Sequence, residues 1–209
     1  EKDIVQGLEA GAYYYLSKPY KKKILLAIVN AAVGDFMKSQ NLAKHAEGII
    51  DAIVFLKLGH FEFRTLEEGQ KLATFMGSMC PWKEDVVVGL WELVVNAVEH
   101  GNLGISYEEK SLLNEKDEWE SEVKRRLELP EYKSKTVKVE VKRVDDEIRF
   151  IISDEGVGFD WESYLEFNPE RLFDNHGRGI AMANKFSFDR IEYQGCGNIV
   201  TAVVKSPPE

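Results

Sequence analysis

Two polar side chains one helical turn apart could take part in phosphate chemistry. Glu92 and Asn96 lie in the segment ELVVNAVEHG, which ends at Gly101. Apolar residues recur at helical spacing through this segment, so we expect a helix that carries both polar groups on one side. An amide oxygen suits Mg2+, and the carboxylate could accept a proton from a hydroxyl or water that attacks a phosphate. An isolated pair of this kind is more often a solvated helix face.

A second pattern strengthens that interpretation, because a predicted strand further along the chain ends in a carboxylate. The segment EIRFIISD alternates so that Ile152 and Asp154 point to the same face. Burying an unpaired charge is costly, and the amino group of adenine would be a natural donor to Asp154. Gly156 and Gly158 follow, and the lack of a side chain there lets the backbone approach a base or a phosphate closely. The strand end therefore predicts a nucleotide contact.

A third pattern is the turn formed by Gly177, Arg178 and Gly179, which runs into a short apolar segment. We expect a helix to begin there, and the free backbone amides at a helix start bind anions such as phosphate. Arg178 could add a charge-assisted contact, or could equally face solvent or a partner. The last predicted strand contains Thr201, whose hydroxyl we expect to help hold Asp154. The three patterns together predict an ATP pocket.

These residues resemble the Bergerat-fold (GHKL) ATPases and, within that group, the anti-sigma-factor serine/threonine kinases. The resemblance covers roughly residues 60–205. It is carried by an N-box at Glu92–Gly101, a first glycine box at Asp154–Gly158 and a second glycine box at Gly177–Gly179. It implies an α+β fold, a two-layer α/β sandwich in which helices cover one face of a mixed, mostly antiparallel sheet.

The resemblance also implies a role for individual residues. Asn96 would hold Mg2+, Glu92 would be the catalytic base and Asp154 would recognise the adenine of ATP. The implied function is phosphorylation of a serine or threonine on a protein partner, either a sigma factor or an anti-anti-sigma antagonist. Two alternatives stay open: a non-catalytic switch that binds such a partner in a nucleotide-dependent way, and the ATP-binding half of a histidine kinase.

The start of the chain carries a second resemblance. Residues 4–20, IVQGLEAGAYYYLSKPY, resemble the last third of a response-regulator receiver domain. The resemblance implies a strand around Tyr13–Leu16, a lysine at Lys18 that contacts a phosphoryl group, and a cis proline at Pro19. The acceptor aspartate would lie upstream of Glu1, so we expect the sequence to be a fragment of a larger protein. An ordinary helix–strand–helix segment is the alternative.

The domain organisation follows from these matches. We expect a receiver remnant at residues 1–33, a helical connector at 34–58 and the ATP-binding domain at 59–209. Residues 106–135 form a charged insertion in that domain, because the family pattern is shorter there. Its density of Glu and Lys favours a solvated helix or a mobile excursion over a surface for a partner.

Composition limits the partners and the compartment. The chain has 209 residues and a net charge of −9 without a basic cluster, which argues against a nucleic-acid surface. No apolar run is long enough to cross a bilayer, so no membrane contact is expected. Cys80 and Cys196 fit a reducing cytoplasm, and we expect His100 to bond carbonyls at a helix end rather than a metal. Apolar residues in the segment 1–58 predict a homodimer.

Overall fold

The computed structural model describes residue 6 and residues 10–16, 18–53, 55–162 and 179–206. The chain separates into two compact units, residues 1–53 and residues 54–209. No helix among the described residues is long and apolar enough to span a membrane.

The first unit is dominated by one helix, α1, which runs from Lys22 to Ile53. This helix crosses the boundary expected between residues 33 and 34, and the domain assignment itself stays a prediction. The Lys18–Pro19 peptide bond is cis. Tyr13–Leu16, expected as a strand, is not paired in a sheet within the part of the chain that the structure describes. Four large apolar side chains on α1 are exposed at helical spacing: Leu26, Val29, Val33 and Phe36.

The second unit contains a five-stranded sheet in the order β1-β2-β3-β5-β4. The strands are β1 Leu58–Phe63, β2 Val137–Val144, β3 Glu147–Ser153, β4 Arg190–Gln194 and β5 Ile199–Lys205. All four pairings are antiparallel. The predicted α+β class is confirmed, and the sheet is antiparallel throughout its described strands rather than mixed.

Helices of the second unit lie between β1 and β2 and between β3 and β4 in the chain. They are α2 Leu66–Gly77, α3 Lys83–Asn96, α4 Tyr107–Glu115, α5 Trp119–Leu127 and α6 Gly179–Met182. Both α3 and α6 continue without a break into wider π-helical segments, Ala97–Asn102 and Ala183–Ser187. Helix α2 begins with a capping box, in which Thr65 accepts from the Glu68 amide and Glu68 accepts from the Thr65 amide.

The core lies between the sheet and α3. Alternate residues of β3 are buried, among them Phe150 and Ile152, as the period of two requires. On α3 the residues at helical spacing are buried: Val86, Leu90, Leu93 and Val94. This is the apolar stripe that the sequence predicts. The stripe fixes the rotation of α3. Glu92 therefore lies on the other side of the helix, where it is half-buried.

The exposed apolar stripe on α1 generates a prediction about assembly. Replacing Val29 with Lys and Val33 with Asp together should convert a homodimer to a monomer, because charges would replace apolar contacts at the centre of the stripe. Light scattering at micromolar concentration would measure the molar mass. Ser39→Asp on the same helix is the control and should leave the mass unchanged. A monomeric parent protein would refute the dimer.

Candidate functional site

The Glu92 carboxyl lies against the start of α6. Glu92 is half-buried on α3, and Gly179 is so close that a methyl group on its Cα would overlap the Glu92 carboxyl. Only glycine therefore fits at position 179 without moving Glu92. The structure thus brings the N-box carboxylate to the described end of the second glycine box, as the sequence predicts. Gly177 and Arg178, the other residues predicted there, lie outside the described residues.

Three effects act on the pKa of the Glu92 carboxyl group. Burial raises the pKa of its carboxyl above the ordinary value. The Lys110 ammonium group opposes that rise, and the nearby Glu99 carboxylate adds to it. A carboxylate with a raised pKa is a stronger base than one in water, which suits proton abstraction.

Asn96 is the last residue of α3, one turn after Glu92, and it is also half-buried. The helix then widens, so that the Leu103 amide donates to the Val98 carbonyl at 2.9 Å. His100 in this segment bonds the Ile105 carbonyl through Nδ1, as expected for a histidine at a helix end.

The first glycine box meets the N-box at Asp154. The Gly156 amide donates to Asp154 Oδ1 at 2.8 Å. A methyl group on Gly101 would overlap the Asp154 side chain, and one on Gly156 would lie 2.5 Å from the Gly101 carbonyl oxygen. Burial raises the pKa of Asp154 to about 6, although the Gly156 amide and the Lys135 charge oppose the rise. The site therefore holds a carboxyl group that lacks much of its hydration.

The loop between β4 and β5 closes against the same box. The Asp154 amide donates to the Asn198 carbonyl at 3.0 Å, and Asn198 Nδ2 donates to the Asp154 carbonyl at 3.3 Å. Gly158 has a positive φ of 81° and packs directly on the Cys196 carbonyl, where a side chain would clash. The Phe159 amide donates to that carbonyl at 2.9 Å. These contacts hold the chain after Asp154 in a defined path.

Thr201 does not contribute as expected. It pairs with Ile151 across the β3–β5 ladder, whereas Ile152 pairs with Val200. Paired residues point to the same face of a sheet, so Thr201 faces away from the side on which Ile152 and Asp154 lie. The predicted contact between its hydroxyl and Asp154 is therefore wrong in this register.

The insertion reaches the site more closely than its composition suggests. Helix α4 is capped by Ser106, and Arg126 of α5 donates to the Leu103 carbonyl at 2.9 Å. Arg64, just before α2, donates to the Leu127 carbonyl at 2.9 Å. Residues 106–135 contain α4 and α5 followed by a run of turns, and they are fixed to the domain at several points rather than detached from it.

Two polar pairs that the sequence does not predict connect the insertion to the end of the N-box and to Asn102 directly after it. Lys110 Nζ lies 2.7 Å from Glu99 Oε2, and the Glu99 side chain is 0% exposed. Lys135 Nζ donates to the Asn102 carbonyl at 3.1 Å. A charged residue in an otherwise apolar helix end, as at Glu99, was the signal that a cation must lie nearby.

A family model described as histidine kinase-like ATPase domain matches residues 73–204. No curated protein matches the chain. The match begins within α2 and ends within β5, so it includes the N-box, both glycine boxes and the insertion.

The Glu99–Lys110 pair generates a stability prediction. Lys110→Met should lower the free energy of unfolding by about 3–5 kcal/mol, because it leaves a buried carboxylate without its cation. Chemical denaturation would measure the change, and the double variant with Glu99→Gln should recover a large part of it. Lys124→Met is the matched control. Its pair with Glu120 is solvent-exposed, so its loss should cost less than about 1 kcal/mol. Equal costs for the two lysines would contradict the assignment.

The raised pKa of Asp154 generates a second prediction. Well below pH 4 the carboxyl is protonated in both the folded and the unfolded chain; between about pH 4 and pH 6 the unfolded chain ionises it while the folded chain keeps the proton, so the free energy of unfolding falls. Without nucleotide, Asp154→Asn should therefore be more stable than the parent at pH 8, by roughly 1–2 kcal/mol, and the difference should shrink at pH 4. The same variant should bind ATP weakly. Melting curves at the two pH values and calorimetry with ATP test both effects.

Proposed function

The chain belongs to the histidine kinase-like ATPase domain family, and from this premise we propose that it transfers the terminal phosphate of ATP to a serine or threonine of a protein partner. The family supports ATP binding and a regulatory role. The nature of the acceptor is the further step, and it rests on the resemblance of the N-box to that of the anti-sigma-factor kinases. The partner would then be a sigma factor or an anti-anti-sigma antagonist.

The close contact of the N-box with both glycine boxes carries the proposal. Gly179 leaves no room for a side chain beside the Glu92 carboxyl, and Gly101 leaves none beside Asp154. Two carboxyl groups with raised pKa values therefore lie directly against glycine backbone, one at each glycine box. Clusters of this kind mark functional sites more often than structural ones. Backbone without side chains is also what close approach to a base or phosphate requires.

The residues present fit Mg2+. Asn96 offers an amide oxygen on the side of α3 that carries Glu92, and it is partly exposed. Hard oxygen donors of this type bind Mg2+ together with phosphate oxygens and water. Asn96 would hold the ion, which when bound offsets negative charge on the phosphates.

The chain's own residues would divide the work of the transfer. Asp154 would accept a hydrogen bond from the adenine amino group and so set the position of ATP. Glu92 would accept the proton of the partner's hydroxyl as that oxygen forms a bond to the terminal phosphorus. The bond between this phosphorus and the bridging oxygen breaks, and ADP leaves with the electron pair. Glu92 is then protonated and can release the proton to water.

The test uses labelled ATP and separates binding from transfer. Glu92→Gln should bind ATP with nearly the parent affinity, because the carboxyl is not needed to hold the nucleotide, but should transfer phosphate at least about 100-fold more slowly. Purified sigma factors and antagonists serve as acceptors. The product should survive acid, as phosphoserine does, whereas acid-labile product would indicate phosphohistidine. ATP binding without transfer to any acceptor would favour a non-catalytic switch.

A further inference from the structure

Lys135 is fixed at the junction of the insertion and the nucleotide site. It stands two residues before β2, and its Nζ donates to the Asn102 carbonyl at 3.1 Å. The same ammonium group lies 5.4 Å from the centroid of the Tyr132 ring, within the range of a cation–π contact. These two contacts hold a positive charge at the residue where the π-helical segment ends.

Asn102 transmits this contact to the first glycine box. It is only 3% exposed, and its Oδ1 accepts the Glu155 amide at 2.8 Å. Glu155 directly follows Asp154, while Gly101, directly before Asn102, packs on the Asp154 side chain. A shift of Asn102 would therefore move the backbone on both sides of the Asp154 carboxyl.

Thr136 holds the other end of the same link. Its amide donates to Glu155 Oε1 at 2.9 Å, and its hydroxyl donates to Glu62 Oε1 of β1 at 2.7 Å. Lys135 and Thr136 thus hold Asn102, directly after the N-box, and Glu155 of the first glycine box from adjacent positions. The end of the insertion and the residue after it therefore contact two neighbours of the Asp154 region, Asn102 and Glu155.

We propose that Lys135 is a positioning residue for recognition of the adenine base, acting through Asn102 and Glu155 on Asp154. This proposal rests on the proposed function, because it takes adenine as the group that Asp154 binds. Lys135 itself need not touch the nucleotide. Its role is to hold the Asp154 carboxyl in place and to favour its ionised form.

Electrostatics support the same assignment. Burial raises the pKa of Asp154, and among the described side chains Lys135 is the cation that lowers it. From β4, Tyr193 also faces the carboxyl: burial raises the pKa of its hydroxyl, and the Asp154 charge adds to that rise. The Gly156 amide completes the surroundings. Without Lys135, only the Gly156 amide would oppose the effect of burial on the pKa of Asp154. The Asp154 carboxyl would therefore become protonated at a higher pH.

The experiment compares two nucleotides by calorimetry at pH 8, ATP and purine riboside triphosphate, which lacks the amino group. Lys135→Met should weaken ATP binding about tenfold and analogue binding much less, because only ATP uses the Asp154 contact. Lys135→Arg should recover most of the ATP affinity, since it retains the charge. Lys133→Met, an exposed lysine two residues away, is the control and should bind both nucleotides like the parent.

Affinity measured against pH adds a second readout. ATP binding by the parent should weaken as pH falls towards about 6, and in Lys135→Met this loss should begin at higher pH. Melting without nucleotide checks that each variant folds, and Lys135→Gln replaces the methionine variant if that one does not. If Lys135→Met weakens the binding of ATP and of the analogue equally, or weakens neither, the role of Lys135 is wrong and the proposed function is unaffected. A folded parent that binds neither nucleotide overturns the proposed function and the inference together.

Discussion

Close contact between backbone and carboxylate is the constraint on which this domain depends. At Gly101 and at Gly179 the main chain approaches a carboxyl group where even a methyl group would overlap it. The first contact joins the end of the N-box to the sheet, and the second joins α3 to α6. These two close contacts fix how near the main chain of the helix layer lies to its neighbours at two points. The contacts that could bind a nucleotide are also contacts that define the fold.

This arrangement costs stability in the absence of a ligand. Asp154 and Glu92 both lose hydration, and the pKa of each is raised because the charged form is disfavoured. A core built for stability alone would place apolar residues at such positions. The polar residues are tolerated because the surrounding sheet and helix pack well: Phe150 and Leu90 are fully buried between them. The amino group of a bound adenine would give Asp154 a donor in place of the lost water.

The sequence predicts the side of α3 that carries Glu92 and Asn96, because the apolar stripe of that helix leaves one rotation only. It also predicts the face of Asp154, since strand alternation has a period of two. The sequence-based prediction is wrong for Thr201, because the face of this residue relative to Asp154 depends on the register between β3 and β5. A register shift of one residue reverses the face. Alternation within a single strand does not reveal that register. The sequence-based prediction also misses Lys110 and Lys135. The composition predicts only that the insertion is polar. The three-dimensional structure is needed to show which of its lysines contact groups of the domain.

The charged insertion contributes contacts to buried polar groups of the domain, although its composition alone suggests a solvated segment. Glu99 would be an unpaired buried charge without Lys110, and the Asn102 carbonyl would lose its donor without Lys135. Lys110 thus pairs with Glu99 of the N-box and Lys135 with Asn102 directly after it, while exposed neighbours such as Lys124 and Lys133 remain in solvent. A segment that supplies two cations at the C-terminal end of the N-box cannot be removed as an independent appendage. The two lysines therefore connect α4 and the end of the insertion to the residues at the end of the N-box.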